Sequence, residues 1–488
     1  MLLGGDGDDF VFGDNGNDLA LLGAGDDLFQ WDPGDGSDTV EGQDGADTLL
    51  FFGSNASENI DIVANGGRVL FLRNVANVTM DLDDVETIEF RALGGADNIV
   101  VGDLSGTDAT RIDLDLRGPN GGGDGEPDSV TVNATNGADA FGVTGDAGGV
   151  RIFGLQAEVN VFFQEVANDR LTLNGLGGDD VIDATGLEAD GIQLTMNGGL
   201  GDDLFLGSEG DDLINGGDGD DTALMGAGDD TFVWNPGDDN DTLEGQAGFD
   251  TMLFNGANVA ENITISANGE RALFFRNIAN VTMDLNDVER IEFNALGGAD
   301  TIVVNDLSGT DVTEVAIDLG AAGGGGDAQP DTIVVNGTNG DDVILLVLDG
   351  STLQVLGLAA QIVVENFEAT DTIRILGLGG DDVIEASGVG SGGPQLILDG
   401  GADDDVLIGG AGNDVLLGGA GDDVLLGGGG IDVLDGGEGD DIEIQSIALA
   451  ASAGTGAQEI GSVGFEFGSV EDATLGNAPS LQTDDLLL

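Results

Sequence analysis

The chain has 488 residues and carries 94 Asp and Glu against 11 Lys and Arg, so its formal net charge is −83. A charge of this size opposes compaction unless counter-ions neutralise it. Nucleic acid and anionic membrane surfaces are therefore poor partners, and a cation is the expected one. The absence of Cys excludes a disulfide framework and thiolate metal sites.

The first predicted element is an array of nine-residue units over residues 1–53, written G-G-x-G-x-D-x-U-x, where U is a large aliphatic residue. The glycines permit positive φ, so the G-G-x-G-x-D part predicts a tight turn. The x-U-x triplet predicts a three-residue strand with U on one face. Such a strand is not stable alone, so we expect successive units to stack. The acids recur every nine residues except for a step of eleven from Asp27 to Asp38, where the insert "WDP" lies.

Residues 54–197 form the second predicted element and show a different pattern. Short alternating segments such as Ile60/Ile62 and Val69/Phe71 are separated by Gly, Asn and Asp. This pattern predicts short strands joined by tight turns. Because the early strands recur at nearly the array's spacing, we favour a β-solenoid that runs through both kinds of segment. An antiparallel sandwich would give similar spacing and stays open as the alternative.

The same organisation then repeats along the chain. Residues 74–90, "NVANVTMDLDDVETIEF", match residues 277–293, "NIANVTMDLNDVERIEF", at an offset of 203. At this offset Met1 aligns with Leu204, so the chain opens inside an array, as a C-terminal piece of a longer repeat protein would. The predicted segments are array 1–53, β-rich segment 54–197, array 198–253, β-rich segment 254–399, array 400–444 and tail 445–488. The fold class is all-β, with parallel β-roll or β-solenoid arrays alternating with longer β-rich segments.

The regular acids of the arrays predict a calcium site at each turn. Stacking places equivalent Asp residues about 4.8 Å apart, where two bare carboxylates repel by roughly 0.9 kcal/mol in water. A divalent cation between turns reverses the sign. Hard oxygen ligands in a flexible cage suit Ca²⁺ better than Mg²⁺. The predicted ligands are the sixth-position acids Asp9, Asp18, Asp27, Asp38, Asp47, Asp203, Asp212, Asp221, Asp230, Asp241, Asp250, Asp405, Asp414, Asp423, Asp432 and Asp441.

The units "GGAGNDVLL", "GGAGDDVLL" and "GGEGDDIEI" resemble the RTX, or hemolysin-type calcium-binding, nonapeptide repeat. The resemblance implies a parallel β-roll with multiple Ca²⁺ ions between turns, held by the sixth-position Asp and by turn carbonyls. It covers the three arrays. The units depart from the pattern in places: Ala20 and Ala223 replace U, Asp403 replaces the fourth-position Gly, and Ile431 replaces the polar fifth residue.

The resemblance also implies secretion through a type I exporter with an uncleaved C-terminal signal, which we expect within residues 445–488. The N-terminus shows no Sec signal, and no apolar run is long enough for a membrane span. We therefore expect an extracellular protein whose partners are calcium ions, the exporter and a cell-surface or matrix polysaccharide.

With no His, Lys, Cys or Tyr, most general bases and nucleophiles are missing, and we predict that the chain is not an enzyme. We expect a structural, adhesive or matrix role. The alternative is the calcium-dependent folding and export module of a truncated toxin or extracellular enzyme. The two tryptophans, Trp31 and Trp234, are expected to pack on the turn inserts, with a sugar-stacking platform as the alternative. The segments 54–197 and 254–399 are expected to depend less on metal than the arrays do.

Overall fold

The structure is a computed structural model and describes residues 1–445. Their regular elements are β-strands and one 3-10 turn at Val75–Asn77, joined by short turns. No helix within them is long and apolar enough to cross a bilayer. The predicted tail signal at 445–488 lies, except for its first residue, outside the described part of the chain.

The strands are short and follow one another at close intervals. In the first half of the chain they are β1 (Leu2–Asp6), β2 (Phe10–Phe12), β3 (Leu19–Ala24), β4 (Leu28–Trp31), β5 (Thr39–Asp44), β6 (Thr48–Ser54), β7 (Asn59–Asn65), β8 (Arg68–Arg73), β9 (Val78–Asp83), β10 (Thr87–Leu93), β11 (Asn98–Val101), β12 (Arg111–Asp115), β13 (Ser129–Asn133), β14 (Ala140–Asp146), β15 (Gly149–Phe153), β16 (Glu158–Phe162), β17 (Arg170–Asn174), β18 (Val181–Leu187), β19 (Gln193–Leu200), β20 (Leu204–Leu206), β21 (Asp212–Asp218) and β22 (Thr222–Leu224). In the second half they are β23 (Thr231–Trp234), β24 (Thr242–Glu244), β25 (Thr251–Asn255), β26 (Asn262–Asn268), β27 (Arg271–Arg276), β28 (Val281–Asn286), β29 (Arg290–Leu296), β30 (Thr301–Val304), β31 (Glu314–Ala321), β32 (Thr332–Asn336), β33 (Val343–Asp349), β34 (Thr352–Leu356), β35 (Gln361–Glu365), β36 (Thr372–Leu376), β37 (Val383–Gly388), β38 (Gln395–Ala402), β39 (Val406–Ile408), β40 (Val415–Ala420), β41 (Val424–Leu426), β42 (Val433–Glu438) and β43 (Ile442–Ile444).

Successive strands alternate between two parallel sheets, so each pair of strands makes one coil of a solenoid. The first sheet has the order β1-β3-β5-β9-β8-β7-β11-β13-β17-β19-β21-β23-β25-β29-β31-β35-β34-β33-β37-β39-β41-β43. The second has the order β2-β4-β6-β10-β12-β16-β15-β14-β18-β20-β22-β24-β28-β27-β26-β30-β32-β36-β38-β40-β42. The predicted all-β solenoid is confirmed. The sandwich alternative is wrong, because strands of the β-rich segments continue the parallel sheets of the arrays.

Four excursions interrupt the alternation. In each, three consecutive strands stay in one sheet and pair antiparallel: β7-β8-β9, β14-β15-β16, β26-β27-β28 and β33-β34-β35. The middle strand runs back so that the third can pair parallel with the preceding coil. Each excursion adds two strands to its sheet, and all four excursions lie within segments 54–197 and 254–399.

The core is one continuous apolar column between the two sheets. Of the aliphatic U residues of the third array, Leu407, Leu416 and Leu425 are fully buried and Leu434 is partly buried. Ala20 and Ala223, the two small residues at U positions, are buried as well. The predicted inward face of x-U-x is therefore observed even where the side chain is small.

The two tryptophans pack inside this column. Trp31 stacks on Phe51 with ring centroids 4.0 Å apart, and Trp234 stacks on Phe254 at 3.9 Å. Both indoles are fully buried, and the Trp31 N–H donates to the carbonyl of Gly36 inside the turn insert. The packing prediction is confirmed. A sugar-stacking platform is excluded, since neither ring reaches solvent.

Truncating this stack should destabilise the second copy. We expect Phe254→Ala to lower the free energy of unfolding by about 3–5 kcal/mol, because it leaves a cavity beside Trp234. Denaturant unfolding of the calcium-saturated protein, followed by tryptophan fluorescence, measures the change. The control is Phe249→Ala, whose ring is 42% exposed and whose loss should cost no more than about 0.5 kcal/mol. Equal effects of the two variants would contradict the packing argument.

Candidate metal centre

The dominant polar feature of the solenoid is an acid placed immediately before most strands. The backbone N–H of each such acid donates to a carboxylate oxygen of the equivalent acid one coil further along, over 2.7–3.1 Å. Acids that precede strands of one sheet lie on one edge of the solenoid. The two edges therefore carry two series of acid ladders.

The ladders run through arrays and β-rich segments alike. On the edge that enters the first sheet they are Asp18-Asp38, Glu58-Asp97-Asp128-Asp169, Asp212-Asp230-Asp250-Glu289 and Asp342-Asp382-Asp405-Asp423-Asp441. On the other edge they are Asp9-Asp27-Asp47-Glu86, Asp139-Asp180-Asp203-Asp221-Asp241, Glu261-Asp300-Asp331-Asp371 and Asp414-Asp432.

The second carboxylate oxygen is the unusual one. In many of these acids it is buried and has no hydrogen-bond partner: Asp27, Asp38, Asp47, Asp97, Asp180, Asp203, Asp221, Asp230, Asp241, Asp250, Asp300, Asp382, Asp405, Asp423 and Asp432. Each of these acids ends a turn, and the second residue of that turn, four positions before the acid, has a positive φ. We call these open turns. An unpartnered buried carboxylate oxygen is costly. Each open turn therefore needs a positive partner for this oxygen.

A backbone carbonyl faces the same space as this oxygen. A methyl group on Gly418, the first residue of its turn, would clash with both the unpartnered Oδ2 of Asp423 and the carbonyl oxygen of Gly436 in the next coil. Gly198 has the same relation to Asp203 and Gly216. The first position of the unit must therefore be glycine, because two oxygens approach it closely. A cation between these two oxygens would offset their mutual repulsion.

The acids at the fifth position form a second, outward-facing ladder that runs in the opposite direction. The N–H of Asp220 donates to Asp202 Oδ1 one coil earlier, over 3.0 Å, and the N–H of Asp422 donates to Asp404 Oδ1 over 2.7 Å. These carboxylates are exposed. Each gap between two array coils therefore lies beside an inner and an outer carboxylate, contributed by different coils.

Burial dominates the ionisation of the inner acids. It raises the pKa of Asp221 to about 8, of Asp230 to about 8 and of Asp241 to about 9, although a backbone N–H to each carboxylate opposes the rise. Neighbouring ladder carboxylates raise these pKa values further, Asp203 acting on Asp221 and Asp212 on Asp230. Without a cation, these acids would bind protons near neutral pH.

In two other kinds of turn the acid accepts a hydrogen bond from a donor that the open turns lack, although Asp414 Oδ1 and Glu58 Oε2 stay without a partner. In what we call closed turns, the second residue has no positive φ and donates its N–H to the acid over 2.7–2.8 Å, as Ser208 does to Asp212 and Thr135 to Asp139. Asp342 and Asp414 receive the same bond from Thr338 and Gly410.

The second kind uses an arginine. The guanidinium of Arg73 donates to Glu58 over 3.0 Å, and that of Arg276 donates to Glu261 over 2.6 Å. All four side chains are buried. The arginines also lie over the rings of the two buried tryptophans. All eleven arginines of the chain lie in segments 54–197 and 254–399, so the array turns have no such internal cation.

The sixteen predicted ligands all lie in the ladders, but they are not equivalent. Asp9, Asp18 and Asp441 are partly exposed at ladder ends, and Asp212 and Asp414 belong to closed turns. Each of the other predicted ligands is the acid at which an open turn ends. Within residues 1–445 no point brings together three acidic side chains suited to a metal, so a cation at an open turn must also use backbone carbonyls. Carboxylate and carbonyl oxygens are the ligands that Ca²⁺ prefers, and the donor set fits that ion.

The ladder acids are not confined to the arrays. The β-rich segments supply further ladder acids: Glu58, Glu86, Asp97, Asp128, Asp139, Asp169, Asp180, Glu261, Glu289, Asp300, Asp331, Asp342, Asp371 and Asp382. The signal that could have found them is an Asp or Glu directly before a short apolar-alternating strand. It is visible in "GLGGDDVI" at 175–182 and again at 377–384.

Comparison with known proteins identifies the arrays. A protein family described as the RTX calcium-binding nonapeptide repeat (4 copies) matches residues 1–29, 33–50, 197–232, 236–253, 397–425 and 417–442. The chain therefore carries RTX calcium-binding repeats in all three arrays, and these repeats support calcium binding. No curated protein is significantly similar to the chain.

The raised pKa values predict how the calcium-free protein responds to pH. An acid whose folded pKa lies above its unfolded value of about 4 binds more protons when folded, so its contribution to stability is present at low pH and lost as the pH rises through its folded pKa. We expect calcium-free protein to gain β-structure as the pH is lowered from about 9 to about 5. Far-UV circular dichroism at constant ionic strength measures this.

Calcium affinity should change in the opposite sense, because bound protons must leave the carboxylates first. A control in saturating calcium should show β-structure that is nearly independent of pH over the same range. A loss of β-structure on acidifying the calcium-free protein would contradict the assignment of the raised pKa values.

Proposed function

We propose that this chain is a secreted β-solenoid that loads Ca²⁺ in its turns and becomes ordered on binding it, in a structural, adhesive or matrix role. The observation that carries the proposal is the set of open turns, whose buried carboxylate oxygens lack a partner. A protein with a net charge of −83 needs many counter-ions, and these turns are where its negative charge is most densely buried.

The residues of an open turn have separable tasks. In the turn that ends at Asp221, Oδ1 accepts the N–H of Asp203 over 2.8 Å and fixes the carboxylate between coils. Its Oδ2 stays free for the ion. Gly217 takes a φ of 107° and lies against the carbonyl of Gly199 in the coil before, where a side chain would clash. Ca²⁺, when bound, supplies the positive charge and accepts several oxygen ligands.

Metal binding and folding are then one equilibrium. Two stacked coils without the ion bury carboxylates that repel each other, and the unfolded chain escapes that repulsion. The ion favours the folded state because the unfolded chain offers no preformed site. The segments 54–197 and 254–399 bury an apolar column and two arginine–glutamate pairs, so we propose that they tolerate calcium removal better than the arrays.

Secretion is consistent with folding that depends on calcium binding. Proteins with RTX repeats are typically secreted. Free calcium outside the cell matches the ~10⁻⁴–10⁻³ M affinities of extracellular modules, whereas the cytosol would leave the arrays unfolded for export. We propose a type I exporter as the route, a cell-surface or matrix polysaccharide as the extracellular partner, and no catalytic activity in this chain.

Calcium should control the β-structure of the full chain. In EGTA we expect the arrays to be largely disordered, and millimolar Ca²⁺ should restore β-signal and compaction. Far-UV circular dichroism and light scattering measure the two changes. Identical spectra in EGTA and calcium would overturn the proposal.

A matched pair of variants assigns the effect to the turns. Asp221→Asn keeps Oδ1 as an acceptor but removes the charge facing the gap, and it should raise the calcium concentration at the folding midpoint about tenfold or more. Asp61→Asn removes the same charge from an exposed position in mid-strand and should leave the midpoint unchanged. Equal shifts would mean that calcium screens the net charge without binding at the turns.

The tail should direct export. We expect deletion of Ser446–Leu488 to abolish appearance of the protein in the medium when it is expressed beside a type I exporter, while intracellular levels persist. Immunoblots of medium and cells measure this. The control replaces the tail with an unrelated acidic sequence of equal length. Undiminished secretion of the deleted chain would leave the route unexplained.

A further inference from the structure

The arrays as defined by sequence do not end where the open turns end. The turn at 377–382, "GLGGDD", lies before the matched part of the third array, which begins at residue 397. Its second residue, Leu378, has a φ of 80°, a conformation that glycine holds in most array turns. Asp382 is 1% exposed, and its Oδ2 has no partner. The turn is therefore open although its sequence is degenerate.

The surroundings of Asp382 match those of an array acid. A methyl group on Gly377 would clash with Asp382 Oδ2 and with the carbonyl oxygen of Gly400, as a methyl on Gly418 would clash with Asp423 and Gly436. The outer carboxylate is present too: Asp404 N–H donates to Asp381 Oδ1 over 3.1 Å.

The first copy repeats this arrangement on the opposite edge. Leu176 has a φ of 75°, and Asp180 is 1% exposed with an unpartnered Oδ2. A methyl on Gly175 would clash with that oxygen and with the carbonyl oxygen of Gly198. The outer bond is also kept, from Asp202 N–H to Asp179 Oδ1 over 3.2 Å.

One coil earlier the inner arrangement stops in both copies, although the outer bond continues in the second copy, from Asp381 N–H to Asp341 Oδ1 over 3.0 Å. Asp342 accepts the N–H of Thr338 over 2.7 Å and its hydroxyl over 3.1 Å. Asp139 accepts the same two groups from Thr135 over 2.8 and 2.7 Å. These closed turns satisfy the acid with protein donors, and neither carboxylate has an unpartnered buried oxygen. They mark the first coil of each ladder.

We infer that the turns at 377–382 and 175–180 are calcium sites, so that the metal ladders of the third and second arrays extend one coil into the β-rich segments and end at the threonine-closed turns. This inference rests on the proposed function, since it assigns the same ion to two further turns. Asp382 and Asp180 are the inner ligands, and Asp381 and Asp179 are the outer carboxylates of the same turns. The closed turns at Asp139 and Asp342 bind none.

Hydrogen–deuterium exchange of the full chain against a calcium titration tests the inference at peptide resolution. In the parent chain, fragments covering 175–187 and 377–388 should gain protection with calcium. In Asp382→Asn the calcium midpoint of fragment 377–388 should rise roughly tenfold or more, while fragments 175–187 and 415–426 keep theirs. In Asp180→Asn the midpoint of fragment 175–187 should rise instead. Each copy thus controls for the other.

A control variant separates ligation from a structural role. Asn resembles a protonated Asp, so if Asp382 were merely a neutral buried acid, Asp382→Asn would leave the midpoint in place, which would overturn the inference. Asp342→Asn, in the closed turn, should not move any midpoint. If both Asp382→Asn and Asp180→Asn leave their fragments unprotected at saturating calcium, the acids are structural and the inference is likewise overturned.

The outcomes also distinguish this inference from the proposed function. If fragment 415–426 responds to calcium and fragments 175–187 and 377–388 respond identically in parent and variants, the inference fails and the arrays remain calcium-binding. If no fragment of the parent chain responds, the proposed function fails and the inference fails with it.

Discussion

The structure depends on one repeated interaction, the carboxylate that sits between two coils at the point where the chain enters a strand. One oxygen must accept the backbone N–H of the coil before, because that N–H is buried between stacked turns and would otherwise lack a partner. This requirement selects an acid of short reach directly before the strand. It also leaves the second oxygen buried, and a buried charge without a partner is the main threat to the fold.

The chain supplies a partner for that second oxygen in more than one way. The first acid of a ladder has no equivalent acid in the coil before it whose N–H it could accept. At Asp139 and Asp212 the carboxylate instead accepts the N–H and hydroxyl of its own turn. At Glu58, where an excursion begins, the buried guanidinium of Arg73 supplies the charge. The acids of the open turns have neither, because the second residue of each of those turns is held at positive φ. Those are the turns that need a proton or a cation.

Sequence predicted the solenoid and the array acids because the nine-residue register is a direct image of the coil: glycine where the backbone turns, an aliphatic residue where the core lies, an acid between them. It could not settle the fold of the β-rich segments, because strand spacing is the same for a sandwich and a solenoid, and parallel pairing follows from contacts distant in sequence. The nine-residue pattern does not predict the ladder acids of the β-rich segments, because other residues replace its glycines there. Leu176 and Leu378 adopt the turn conformation without the glycine that announces it.

The excursions come in compensating pairs. Each adds two strands to one sheet, and with neighbouring strands about 4.8 Å apart a single excursion would put the two sheets out of step by roughly two strand separations. In each copy one excursion lies in the first sheet and one in the second: β7-β8-β9 with β14-β15-β16, then β33-β34-β35 with β26-β27-β28. The second excursion cancels the offset, so the coils on both edges are in step again when the next array begins. Ladder bonds nevertheless form between the two excursions of a copy, from Glu58 to Asp97 and on to Asp128, because each ladder joins acids on one edge and depends only on the stacking of strands within one sheet.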